Sequence, residues 1–192
     1  MTRSRLVFPG LSLALGLLIV TVSTPASLAA DPGQRLGHDV RFDLIQIIQN
    51  TFLAGGTNTA TDARTGEVIS LTGSGGLKPA TREAAGGGTF TRGTLGLHGV
   101  WVVTGFVDWQ PGGGMFPGGF IDGIGAADDA SAGIATLNVR LFPTAGAPQD
   151  AILEVHCTLP GATIQTEEGV VLKVGTFDFT QSGGFTLIHV ED

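Results

Sequence analysis

The chain has 192 residues, with 10 Lys and Arg against 17 Asp and Glu, a formal charge of −7 and a single Cys. So few and so scattered basic side chains leave no electrostatic footprint for nucleic acid or for an anionic lipid surface. One cysteine excludes an internal disulfide framework, and 31 glycines among clear apolar runs point to a turn-rich β protein rather than to disorder.

The first element in chain order is an export signal. Arg3 and Arg5 precede the apolar run Leu6–Val22, and small residues follow in "STPASLAA". That order is the anatomy of a secretory signal peptide, with cleavage after Ala29 and small side chains at Ser27 and Ala29. No cysteine stands at the cleavage site, so a lipid anchor is not indicated. Pro9 and Gly10 break the run, which is short for a span of about 20 residues. The expected organisation is a signal peptide at 1–29, a short linker at 30–38 and one β domain at 39–192, secreted or periplasmic, with no stable membrane span after cleavage. Cleavage removes two basic and no acidic residues, taking the formal charge from −7 to −9.

Beyond residue 31 the runs are short, rich in Val, Ile, Thr and Phe, and punctuated by glycine, as in an antiparallel barrel or sandwich. The expected strands are Val40–Gln49, Thr57–Ala63, Val68–Ser74, Gly88–Arg92, Gly99–Trp109, Ala132–Phe142, Ala151–Leu159, Val170–Thr180 and Phe185–Glu191. The first also carries Leu44, Ile45, Ile48 and Phe52 at helical spacing, but its alternation favours a strand with a bulge near residue 45. Hairpins are expected at Arg64–Gly66, where glycine supplies positive φ, at Gln181–Gly184, and across the loop "PTAGAPQD". Gln110–Gly133 is the longest irregular stretch, and such long loops are usually functional or mobile.

Within "LEVHCTL", strand alternation puts Leu153, Val155, Cys157 and Leu159 in one row and Glu154, His156 and Thr158 in the other. Cys157 then acts as a small buried hydrophobe, and His156 cannot share a metal or a proton with it. Matching core to core with the preceding strand sets Leu141 opposite Leu153, Val139 opposite Val155 and Leu137 opposite Cys157. A polar row of Arg140, Glu154, Asn138 and His156 follows, read as a solvated face rather than a wet cavity wall. "GVWVVTGFVDW" is apolar on both parities, which suits a strand covered on both faces. Asp108 stands among its aromatic positions and reads as a rim residue.

Phosphate loops, a G-x-S-x-G elbow and metal-ligand spacings are all missing. Asp122, Asp128 and Asp129 fit no calcium loop. His98 and His189 lie near strand ends that the fold is able to bring together.

The motifs "LTGSGGL", "GGGTFTR", "ILEVHCTLPG", "EEGVVLKV" and "GFTLIHV" resemble those of small exported bacterial all-β proteins described only as hypothetical, over roughly Asp39 to Val190. The Gly-Ser-Gly and Gly-Gly-Gly-Thr-Phe pattern is faintly similar to barrels of the dirigent and allene oxide cyclase type. The resemblance implies fold and assigns no functional residue.

The expectation is a single antiparallel β-barrel, with a sandwich as alternative, acting as a non-catalytic module for a small apolar ligand or an envelope protein. A cyclase- or isomerase-type barrel enzyme and a self-assembling structural protein are the alternatives. The expected ligand-binding residues are Trp101, Asp108, Trp109, Phe116, Phe120, Asn138, Arg140, Glu154 and His156, with no catalytic residue, metal or cofactor, in a monomer or weak homo-oligomer. If the leader is read correctly, the secreted chain begins at Ala30 by intact mass; a chain retaining residues 1–29 contradicts that reading.

Overall fold

A computed structural model of the chain describes residues 38–93 and 96–191. The expected signal peptide and most of the linker lie outside the described residues. Twelve strands form one sheet: β1 (Asp39–Ile48), β2 (Thr51–Ala54), β3 (Asn58–Asp62), β4 (Val68–Lys78), β5 (Glu83–Arg92), β6 (Leu97–Gly113), β7 (Ile121–Asp122), β8 (Ala132–Pro143), β9 (Gln149–Cys157), β10 (Gly169–Val174), β11 (Phe177–Gly183) and β12 (Phe185–Glu191). The expected all-β architecture is therefore present. Eight strands close into an antiparallel ring in the order β3-β11-β10-β9-β8-β6-β5-β4, with β4 returning to β3. The sheet is mixed only because the two-residue β7 runs parallel to β2.

Alternation fills the ring. Leu71, Trp101, Leu137, Leu153, Leu172 and Phe179 are fully buried and meet in the middle, as expected when eight strands enclose just enough room for their own side chains. One end is plugged. β1 pairs with β12 over Asp39–Ile45 and also with β2 and the second half of β4. β12 is buried from Thr186 to Val190 and lies across the end of β9. The Thr186 hydroxyl donates to the His156 carbonyl at 2.6 Å, and the Ser131 amide donates to Ile188 at 2.9 Å. Glu168 tightens this contact: its carboxylate accepts from the amide and hydroxyl of Thr158 at 2.6 and 2.9 Å and from the Thr186 amide at 2.6 Å.

Several local expectations are corrected. β1 needs no bulge, since its registers with β12 and β2 run without a shift. Both parities are apolar because the strand is buried on both faces from Phe42 to Ile45. The hairpin expected at Gln181–Gly184 does not form. Gly175 (φ 57°) turns the chain earlier, splitting the run into β10 and β11, while β12 leaves to pair with β1. Gln49 and Asn50, both at positive φ, make a two-residue turn into β2 that carries no glycine to announce it. The β8–β9 hairpin forms, but four residues away from the expected register: Leu137 faces Leu153, and Arg140 faces Asp150 rather than Glu154. In this register Asp150 makes a two-point ion pair with Arg140, at 2.6 and 3.0 Å. The shift is even, so the inward row is unchanged.

β6 is likewise not covered on both faces, because Val100 and Val102 stand on the open outer face at 47% and 42% exposure. β5 pairs with β6 only as far as Val102, leaving later β6 with β8 as its single strand neighbour. Three register irregularities break that edge, and Arg82 bridges it by donating to the Val107 carbonyl and stacking over Phe106 at 5.0 Å. Bulges and a cation are common ways of blunting an exposed edge.

Two aromatic rings lie flat on glycine. A Cβ on Gly75 would sit 2.6 Å from the Phe42 ring, and one on Gly73 (φ 143°) 2.7 Å from the Trp101 indole. The indole NH donates to the Thr72 carbonyl at 2.9 Å, which fixes the ring there. Gly75→Ala is expected to lower unfolding free energy by about 1–3 kcal/mol through overpacking, read by urea denaturation. An unchanged midpoint would show that both the Phe42 ring and the Ala85 carbonyl, also 2.6 Å from that Cβ, give way.

Candidate functional site

Four hairpin turns gather at the end of the ring opposite the plug: β3–β4, β5–β6, β8–β9 and β10–β11. Three of them, β3–β4, β5–β6 and β8–β9, with the ends of their strands, line a cavity of about 830 Å³. Phe90, Leu97, Leu141 and Pro143 give it apolar walls, Ala145 to Ala147 form one lip, and Glu67 and Arg92 supply charge.

Arg92 is the centre of the site. It stands opposite Ile69 on β5, on the inward row, and its side chain is 11% exposed. Its guanidinium lies 3.9 Å above the Phe177 ring, and Phe177 stacks on the buried Phe179 at 5.6 Å. Glu67 holds it by a two-point pair, Nε to Oε1 at 3.0 Å and Nη2 to Oε2 at 3.3 Å. A planar guanidinium suits both the stack and the fork.

The lip that bears Glu67 is itself stapled. Asp62, at the end of β3, accepts from the amide and hydroxyl of Thr65 through one oxygen and from the Asp178 amide through the other, at 2.8–2.9 Å. Those donors, the Asp178 amide foremost, hold its carboxyl below the ordinary value. The mouth is thus built before any ligand arrives.

None of the nine sequence-expected ligand residues lines this cavity. Trp101 is buried inside the ring, and Trp109 is buried nearer the plugged end, where its ring packs over Gly133. Asp108 is exposed and accepts from Gln110 at 3.1 Å. Asn138 and Arg140 stand on the outer face of β8. Glu154 and His156 share the outer face of β9, joined at 3.1 Å, with Thr166 on the other imidazole nitrogen at 2.7 Å. Phe116 and Phe120 pack on Phe52 with centroids 5.1 and 5.2 Å away, at the far end of the molecule. Backbone bonds from Met115, Ile121 and Gly123 pin that long segment down.

Cys157 is fully buried on the inward row while His156 faces out. Burial, with Glu168 nearby, pushes the thiol well above its ordinary range. His98 lies at the mouth end of β6, whereas His189 is buried in β12 beside Asp122. Asp128 and Asp129 are exposed in a short 3-10 turn. Among the described residues no three His, Cys, Asp or Glu side chains gather to hold a metal, and no helix is long and apolar enough to cross a membrane.

The residues that matter at the mouth, Arg92 and Glu67, belong to no binding or catalytic motif in the sequence. Glu67 follows the turn Arg64–Gly66, and Arg92 ends a strand, both ordinary surface positions. The available signal was parity: Arg92 continues the inward row of Phe90.

The second buried polar group is structural. His189 Nε2 lies 2.7 Å from an Asp122 oxygen, with side chains 2% and 3% exposed. The other Asp122 oxygen accepts from the Ile124 and Gly125 amides at 2.9 and 3.0 Å. Burial pushes the Asp122 carboxyl up, but His189 and the two amides outweigh it and hold it below its ordinary value of 3.8. A carboxyl lowered in the folded state stabilises fully above its unfolded pKa and stops doing so as pH falls through the folded one. Stability from Asp122 is therefore expected at pH 5 and above, and to fade below about pH 4. Asp122→Asn is expected to cost about 1–3 kcal/mol at pH 6 and to flatten the acid limb of a urea-midpoint profile between pH 5 and 2.5. An acid limb as steep as in the parent would show that Asp122 does not carry it.

No protein-family model, curated protein or solved structure matches this chain.

Proposed function

We propose that the protein is a non-catalytic binding module that takes a small, largely apolar ligand in the open mouth of the ring. The carrying observation is the contrast between the two ends: β12 plugs one, while the other holds a prebuilt cavity of about 830 Å³. That volume falls within the roughly 300–1,000 Å³ of small-molecule sites, which also combine apolar walls with a few placed polar groups. Exported proteins of this kind meet their ligands outside the cytoplasm, in keeping with the leader read from the sequence.

The alternative of a barrel enzyme asks for polar groups free to act on a substrate. Here the one carboxylate lining the mouth, Glu67, has both oxygens engaged by Arg92, and a guanidinium holds its protons, so no general base stands free there. Self-assembly asks for a long open edge, and the one-sided part of β6 is irregular and bridged by Arg82.

Titration with N-phenyl-1-naphthylamine, a neutral apolar fluorophore that brightens on leaving water, tests the reading. Saturable binding is expected. Ala147→Trp, an exposed change on the lip and so within about 0.5 kcal/mol of neutral for stability, is expected to weaken it at least fivefold. Phe120→Ala, on the distant segment, is expected to leave it unchanged. Binding that ignores Ala147→Trp but falls with Phe120→Ala moves the site to the other end and overturns the proposal.

A further inference from the structure

The mouth selects among apolar molecules by a feature of Arg92. A guanidinium carries five N–H donors. Glu67 takes two of them, one on Nε and one on Nη2. The other three, two on Nη1 and one on Nη2, have no acceptor among the described residues, and Nη1 is not among the sealed, unpartnered polar atoms. Arg92 lines the cavity, and these are the donors it has left to offer there. Its orientation is set from two sides, by the Phe177 ring 3.9 Å away and by the Glu67 fork.

We infer that the mouth is specific for neutral apolar ligands bearing a carbonyl-type oxygen, such as esters, lactones or ketones, rather than for carboxylates or plain hydrocarbons; this rests on the mouth being the binding site. A carbonyl oxygen accepts the spare donors without bringing charge. A carboxylate meets an arginine already neutralised by Glu67, whose charge cancels much of the attraction that Arg92 alone exerts. The cost of stripping water from the incoming anion remains whole, and the chain's net charge of −7 opposes its approach. A hydrocarbon escapes that cost but leaves three donors of a guanidinium only 11% exposed cut off from water with no acceptor. Each competitor fails for a different reason, and only a neutral acceptor avoids both.

Three compounds sharing one aromatic body separate these cases: methyl 2-naphthoate, 2-naphthoate and 2-methylnaphthalene, titrated by fluorescence against the full-length chain at pH 7. The ester is expected to bind at least tenfold more tightly than either of the others. Arg92→Met is expected to bring the ester down to the level of the hydrocarbon, whose own binding persists. Glu67→Gln keeps an acceptor for Arg92 but removes the negative charge, and is expected to shift the ester-to-acid ratio at least threefold toward the acid. This variant carries the test if Arg92→Met fails to fold. Acid binding as tight as ester binding in the parent, or an ester advantage that survives Arg92→Met, overturns the choice of ligand class. Equal binding of all three compounds also overturns it while leaving the mouth as the site. Failure of all three to bind overturns the mouth reading as well.

Discussion

β3 is five residues long and hydrogen-bonded on both sides, to β4 through Asn58–Thr61 and to β11 through Thr59–Asp62. Through it an eight-stranded sheet becomes a ring. Without it, β4 and β11 would present two open edges, and the inward rows would lose the wall that makes their packing mutual. Its two ends carry buried polar side chains, each tied to a different part of the molecule. Asn58 donates to the Phe185 carbonyl at 2.8 Å, fastening the ring to the start of the plugging strand. Asp62 fastens it to the β3–β4 turn and to β11. One short strand therefore positions both the closed end and the open one.

The two ends spend their polar groups differently, and that difference locates the site. At the plugged end Glu168 and Asp122 are heavily engaged, each accepting three hydrogen bonds. Such groups hold backbone in place and have little left to offer a ligand. At the mouth, Glu67 leaves most of the Arg92 donors unused, and Phe177 keeps the guanidinium from turning away. A fixed cation with spare donors beside apolar walls is the arrangement that recognises a molecule. The apolar middle between the ends, from Leu71 to Phe179, keeps water from linking them.

How far the sequence could be read depended on the range of the interaction concerned. The turn at Arg64–Gly66 was legible because glycine conformation is local. So was the division of Cys157 from His156, since adjacent strand residues face opposite ways whatever the partner strand. The β8–β9 register was not: two apolar rows match equally well in several even shifts, and nothing local singles out the one in which Arg140 meets Asp150. The β10–β11 turn hid inside a run rich in apolar residues, because Gly175 looked like one more interruption. Among candidate site residues, aromatic and charged side chains near the long segment drew attention, yet that segment is stapled to β2, β12 and the β9–β10 connection.

Composition and alternation by themselves determined that this is an all-β chain, which rows of β8 and β9 belong to the core, and that its lone thiol is part of that core. These follow from steric rules that each residue obeys with its immediate neighbours. Only the tertiary structure decided that β12 returns to β1 instead of folding back on β11, that one end of the ring is stoppered and the other open, and that Arg92 meets Glu67 and Phe177. Those pairings join residues 25 or more positions apart, beyond the reach of any rule that acts between chain neighbours.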